Sequence, residues 1–271
     1  MNYCNLNGKI VGTQDAALPA DNGAFRYGYG LFETMLVEDG TIALERFHRE
    51  RLFEGLRQLH FEIPAAMGPE WLTDEVLRTV RKNGMEKLCR VRLQIFAGGG
   101  GLYGGDVAHP GFLIECFSLD AQVIRLNENG LVAGFATGLN KSMDSLCNIK
   151  SCNALIYAIA ARQALENKWN DALVCNTDGN VIESTIANIF WIKDEQVYTP
   201  PLKDGCVAGV MRRFVTAQIA VTEKSLDRET LLQADEVFLT NAVRRIKWIG
   251  SLREKKFGSG YIHQLISTIK T

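Results

Sequence analysis

Net charge is almost absent from this chain of 271 residues, in which 30 Lys and Arg against 31 Asp and Glu leave a formal charge of -1. Nothing in that balance draws the protein to nucleic acid or to an anionic membrane. Long apolar runs are missing as well, since none approaches the roughly 20 residues that span a bilayer. The opening MNYCNLNGKIVG has no basic region followed by an apolar signal segment. Both absences lead us to expect a soluble, cytoplasmic protein. No repeat or low-complexity tract interrupts the chain, and no histidine pair at ligand spacing accompanies Cys147 and Cys152, so no metal is expected.

What is present is 46% hydrophobic and 23% charged, enough for one large domain or two of ordinary size. The seven cysteines are odd in number and scattered through apolar runs, which fits buried thiols in a reducing compartment. These numbers suit an enzyme acting on a small molecule.

Periodicity orders the chain. NLNGKIVG reads as two short strands about an Asn-Gly turn, followed by a glycine-rich loop and a hairpin closed at Glu38-Asp39-Gly40. Apolar residues recur at helical spacing from Leu44 to Leu59, and a second helix is expected from Pro69 to about Asn83, with Gly84 as its cap. LCRVRLQIF alternates, sending Val91, Leu93 and Ile95 to one face and Arg90, Arg92 and Gln94 to the other. The strand GFLIECF closes the first half, and a linker between domains 1–120 and 121–271 is placed near Asp120 to Asn129. The second half reads as a helix over about 151–167, strands at DALVCN, NIFWI, QVYTP and EVFLT, and helices from Gly209, in LDRETLLQADE and at the C-terminus. That order predicts a smaller α+β domain and a larger α/β domain.

Three places could carry chemistry. Lys150, in SLCNIKSCNALIYAIAARQA, sits among apolar neighbours at the expected start of a helix, and burial and the helix dipole would both disfavour its ammonium form. A lysine whose stem is buried and whose charge reaches water is the commoner outcome for such a position. Glu183 interrupts the apolar run DGNVIESTIANIFWI, with Ser184, Thr185 and Asn188 after it. A buried carboxylate there could keep a heterocyclic nitrogen protonated. In GCVAGVMRRF, Gly209 precedes a helix whose Val210 and Met211 N–H groups could hold a phosphate.

These motifs, in this order, resemble the class IV aminotransferases, the fold-type IV pyridoxal-phosphate enzymes with a D-amino acid aminotransferase-like fold. Tyr27 to Thr34 matches the family's YGxGLFET opening, Arg51-Leu52 its early helix, and Ala234 to Ala242 its late strand. The resemblance implies pyridoxal 5'-phosphate as cofactor, held in a crevice between two lobes of a homodimer subunit, with residues of one subunit completing the other's site. It implies Lys150 as the Schiff-base lysine and places it in the larger domain. It also implies Glu183 at the pyridine nitrogen, Asn188 as a cofactor residue, and Arg51 with the Val210 and Met211 amides as the phosphate cradle. Relatives often carry a hydroxyl where Ala242 stands here, so Thr240 or Asn241 is expected to substitute.

Two reactions fit such a scaffold, namely pyruvate elimination from 4-amino-4-deoxychorismate and transamination as in branched-chain aminotransferases. The segment from Asn188 to Phe214 looks more like that of the lyases, because Val-Ala-Gly-Val-Met stands where the transaminases have Leu-Pro-Gly-Ile-Thr. The substrate's carboxylates need cations, for which Arg26, Arg90, Arg92, Arg244 and Arg245 are candidates, with Tyr27 nearby in sequence. Arg92 also matches an arginine of the branched-chain enzymes. The third possibility, a binding protein that kept the fold without catalysis, leaves Lys150 and Glu183 without a purpose.

Overall fold

A computed structural model describes residues 2–100, 102–103 and 106–269. The chain divides into two compact units, one of residues 1–123 with 149–153 and the other of 124–148 with 154–271.

In the first unit, β1 (Tyr3–Leu6) and β2 (Lys9–Gly12) pair across Asn7 and Gly8, both at positive φ, the conformation that a tight two-residue hairpin demands. The expected glycine-rich loop contains a short helix, α1 (Gly23–Tyr27), because the Asn22 side chain accepts from the Ala24 and Phe25 N–H groups and Gly28 ends the turn in the left-handed region. Next come β3 (Gly30–Glu38), β4 (Thr41–Ile42), α2 (Glu45–Gln58), α3 (Trp71–Asn83), β5 (Leu88–Phe96) and β6 (Gly111–Ser118). They form one antiparallel sheet in the order β2-β1-β6-β5-β3-β4. Val91, Leu93 and Ile95 on β5 are fully buried in one core with Leu52 and Leu56 of α2 and Leu72, Val76 and Val80 of α3. Their alternates Arg92 and Gln94 are half-buried, and Arg90 is exposed.

The segment 149–153, expected with the C-terminal domain, packs in this first unit. Its backbone extends the sheet locally: the Phe32 N–H donates to the Lys150 carbonyl (2.9 Å), the Cys152 N–H donates to the Gly30 carbonyl (2.8 Å), and Ile149 joins the core. Extended pairing here displaces the helix expected from residue 151, and α4 (Leu155–Glu166) starts only at Leu155. Lys150 therefore does not sit at a helix N-terminus, and the dipole argument for its pKa falls away.

The second unit begins with β7 (Leu131–Lys141), a strand hidden in the sequence by Gly134 and Gly138. Gly134 is required by packing, since a Cβ there would lie 2.3 Å from the Trp169 ring. After α4 follow β8 (Asp171–Asn176), β9 (Val181–Ser184), β10 (Asn188–Lys193), β11 (Gln196–Thr199), α5 (Val210–Gln218), β12 (Thr222–Glu223), α6 (Arg228–Leu232), β13 (Glu236–Asn241), β14 (Arg245–Leu252), β15 (Lys255–Lys256) and α7 (Gly260–Thr268). The sheet runs β12-β11-β10-β13-β14-β7-β8-β9, and the pairing of Glu183 with Asn188 joins β9 back to β10. Six strands thus close on themselves, which leaves Glu183 nowhere to meet solvent, and it is 3% exposed. Among the described residues no helix is long and apolar enough to cross a membrane.

Candidate active site

Strand β3 sends successive side chains to opposite faces, and its two faces build different devices. Phe32 carries two cations against its ring, with the Lys150 Nζ 4.4 Å and the Arg92 guanidinium carbon 3.8 Å from the centroid. Arg92 also donates to Gln94 (3.0 Å). Burial pulls its pKa below the ordinary arginine value, and the same burial pushes the neighbouring Cys152 thiol up to about 11. The thiol is therefore neutral, and the Lys150 nitrogen stands with a partly desolvated guanidinium on one aromatic platform.

Glu33, on the other face, fixes Arg51. The carboxylate is buried and receives Arg51 Nε at 2.8 Å, Arg51 Nη2 at 2.5 Å and His48 Nδ1 at 2.6 Å. Burial alone would raise its pKa, but the Arg51 and His48 charges and hydrogen bonds outweigh that and hold it at about 2. Arg51 is thus held by a bidentate pair, which fixes the plane of its guanidinium.

The second unit places Glu183, Asn188, Val210, Met211 and Thr240 along neighbouring strands and one helix start. Asn188 pairs in register with Glu183 on one side and Thr240 on the other. Its Nδ2 donates to the Val207 carbonyl (2.9 Å), and the Val207 N–H donates to Glu183 Oε2 (2.9 Å). Gly209 lies so close that a Cβ would collide with Asn188 Oδ1, so a larger residue before α5 would displace that side chain. Helix α5 has no side-chain cap, which leaves its first N–H groups, those of Val210 and Met211 among them, outside the helix's own bonding.

Thr240 and Asn241 behave differently. The Thr240 hydroxyl is buried without a hydrogen-bond partner among the described residues. Asn241, by contrast, spends its side chain on the β13–β14 turn, accepting from the Val243 and Arg244 N–H groups at 3.0 and 2.6 Å. An orphaned buried hydroxyl, an uncapped helix and a glycine at which a side chain would displace Asn188 fit the demands of a phosphate. Glu183 fits a protonated heteroaromatic nitrogen, since among the described residues Oε2 accepts the Val207 N–H alone and keeps a further acceptor position.

Arg26 and Tyr27 are exposed at the end of α1, where Tyr27 meets Tyr103 at 5.1 Å between ring centroids. Arg90 leans on Phe117, 4.3 Å from its centroid, at the sheet surface. Four residues of these clusters escaped the sequence reading of roles: Glu33, His48, Lys141 and Tyr157. Lys141 Nζ and the Tyr157 hydroxyl each lie 2.7 Å from Glu183 Oε1. Glu33 and His48 had a signal, since two charges and an imidazole on facing β3 and α2 positions require one another. Lys141 had none, because it ends a strand whose glycines disguised it.

The sequence matches the family model described as amino-transferase class IV over residues 30–251. It is 30% identical to the aminodeoxychorismate lyase of Bacillus subtilis strain 168, covering 94% of this chain and 88% of that one. It is also 30% identical to the aminodeoxychorismate lyase of Vibrio harveyi, covering 86% and 87% respectively. The fold resembles that of a branched-chain aminotransferase from Thermoproteus uzoniensis with a TM-score of 0.87 at 23% identity, over 98% of this chain and 93% of that one.

Proposed function

The chain belongs to the class IV aminotransferase family, and from that premise we propose that it is a 4-amino-4-deoxychorismate lyase, releasing pyruvate and 4-aminobenzoate. It is a pyridoxal-phosphate enzyme of fold type IV. When bound, the cofactor supplies an electron sink for charge developed at the substrate carbon beside the amine. Lys150 would be the residue that holds the cofactor, and its amine would take the proton from that substrate carbon. Glu183 holds a proton at the ring nitrogen. The phosphate would be held by Arg51, by the Val210 and Met211 N–H groups and by the Thr240 hydroxyl. Asn188 keeps the Val207 peptide aimed at Glu183, and Asn241 secures the strand end beyond Thr240. Arg92 takes a substrate carboxylate, with Arg26 and Tyr27 at the substrate's far end.

The observation that carries the lyase is the likeness to the Bacillus subtilis lyase over nearly the whole of both chains. The Val207–Met211 segment supports it. Arg92, which matches an arginine of the branched-chain aminotransferases, favours transamination as the second reading. One assay separates them. Aminodeoxychorismate should yield 4-aminobenzoate without any amino acceptor, whereas glutamate or leucine alone should leave the cofactor unconverted. Rapid conversion to pyridoxamine phosphate with no 4-aminobenzoate formed would overturn the lyase in favour of the transaminase.

The same reading makes the protein a homodimer in the cytoplasm. Leu155 and Ile159, one turn apart on α4, are 68% and 43% exposed, which suits coverage by a second copy. Seven free thiols suit a reducing compartment.

A further inference from the structure

Glu183 does not meet its ligand as a bare carboxylate. Its Oε1 is already bound by the Lys141 ammonium and the Tyr157 hydroxyl, each at 2.7 Å, and both side chains of the ion pair are nearly buried, at 11% and 4% exposure. Lys141 Nζ also lies 5.4 Å from the centre of the Tyr157 ring. Removing either charge alone would strand the other in a region of low polarity, so the pair is fixed as a unit.

The groups around this pair do not alter its charge. Tyr157 of α4 has its pKa raised by burial and then by the charge and hydrogen bond of Glu183, so it stays a neutral donor. Burial, then Glu183, pushes the Cys206 thiol up to about 12, and burial likewise raises Cys147 against the pull of Lys141. Asp144 is held ionised by the Ser142 hydroxyl and the Leu146 N–H, with a smaller contribution from Lys141. Arg212 and Glu223 act on Cys206 from farther off and are bonded to each other at 2.7 Å. The local charge is therefore one cation on one anion, with Asp144 beyond them.

We propose that Lys141 is a positioning residue that weakens Glu183, so that the ring nitrogen of the bound cofactor keeps its proton less firmly than an unpaired carboxylate would make it. The inference rests on the assignment of Glu183 to that nitrogen. A protonated ring nitrogen on Oε2 and the ammonium on Oε1 are like charges sharing one carboxylate, and each lowers the other's hold on it. A cofactor whose nitrogen gives up its proton more readily is a less powerful electron sink. That restraint suits a reaction whose driving force comes from expelling a leaving group and gaining an aromatic ring.

The test uses the apoprotein loaded with 4'-deoxypyridoxine 5'-phosphate carrying a nitrogen-15 label in the ring, a probe that cannot bond to lysine. The ring nitrogen is titrated by NMR. Lys141→Gln keeps a donor on Oε1 but loses the charge, and its midpoint should rise by roughly one to two pH units. Lys141→Arg, which restores the charge, should titrate as wild type does. Tyr157→Phe removes a neutral donor and should shift the midpoint upward by less than half as much, so it tests the idea even if Lys141→Gln does not fold. An unchanged midpoint in Lys141→Gln, with a lowered one in Glu183→Gln, overturns the role of Lys141 and leaves Glu183 in place. A midpoint unmoved in Glu183→Gln overturns both assignments, whereas a Tyr157→Phe shift as large as the one named for Lys141→Gln overturns the role of the Lys141 charge and leaves Glu183 in place.

Discussion

Glu33 stays ionised at 1% side-chain exposure because the Arg51 charge and the hydrogen bonds from Arg51 and His48 outweigh the loss of water around it. A carboxylate whose pKa is lowered on folding contributes stability that is present above its unfolded value and lost as pH falls through its folded value. With an ordinary value of 4.5 and a folded value of about 2, that stability is complete above about pH 5 and disappears towards pH 2. It amounts to roughly 3 kcal/mol. Glu33→Gln should therefore lower the unfolding free energy at pH 7 by a comparable amount and flatten its decline between pH 5 and 2, as measured by urea unfolding at several pH values. A parallel decline in both proteins would contradict the assignment.

Thr240 makes a prediction of mixed sign. Thr240→Val removes a buried hydroxyl without a partner, so the apoprotein should become more stable by about 1 kcal/mol. The same change should weaken pyridoxal phosphate binding about tenfold, through loss of one hydrogen bond to a charged group. Lys150→Ala is the sharper case, since reduction with borohydride should fix the cofactor to the wild-type peptide containing Lys150 and to no peptide of the variant.

At the scale of elements, Gly209 decides whether α5 can start where it does. Gly209→Ala would drive a methyl into Asn188 Oδ1 and force it off the Val207 carbonyl. A loss of about 1–3 kcal/mol in stability is expected, from overpacking, and the cofactor should dissociate more readily. Chemical denaturation and equilibrium dialysis read the two effects separately.

Elements also explain what the sequence could and could not reveal. Local signals announced α2, α3, β5 and the two Asn-Gly and Asp-Gly hairpins, because period and turn chemistry suffice there. They misplaced the start of α4, because the pairing of Cys152 with Gly30 depends on residues more than a hundred positions away. They missed β7, whose glycines answer to Trp169 rather than to a turn. Lys141 was invisible for the same reason: nothing near it in the chain indicates a glutamate 42 residues on. Motif spacing singled out Arg51, Lys150 and Glu183 as candidates, while the partners that hold them came only with the fold.

At the scale of the whole molecule, the homodimer assignment turns on α4. Leu155→Glu with Ile159→Glu should shift the protein toward monomer in sedimentation velocity. If those residues face water in the assembled protein, the pair of changes will leave the mass unaltered.

The chain enters its first unit twice, returning for only five residues between Asn148 and Ala154. Those five residues contain Lys150, so the lysine and the Phe32 platform it rests on are separated by more than a hundred residues of sequence. Two relatives recombined at a single point in the linker near residue 124 would pair one parent's lysine with the other parent's platform. Exchange of the first unit alone takes three junctions, after residues 123, 148 and 153. The lysine and the strand beneath it are therefore inherited together only when no single junction falls between them.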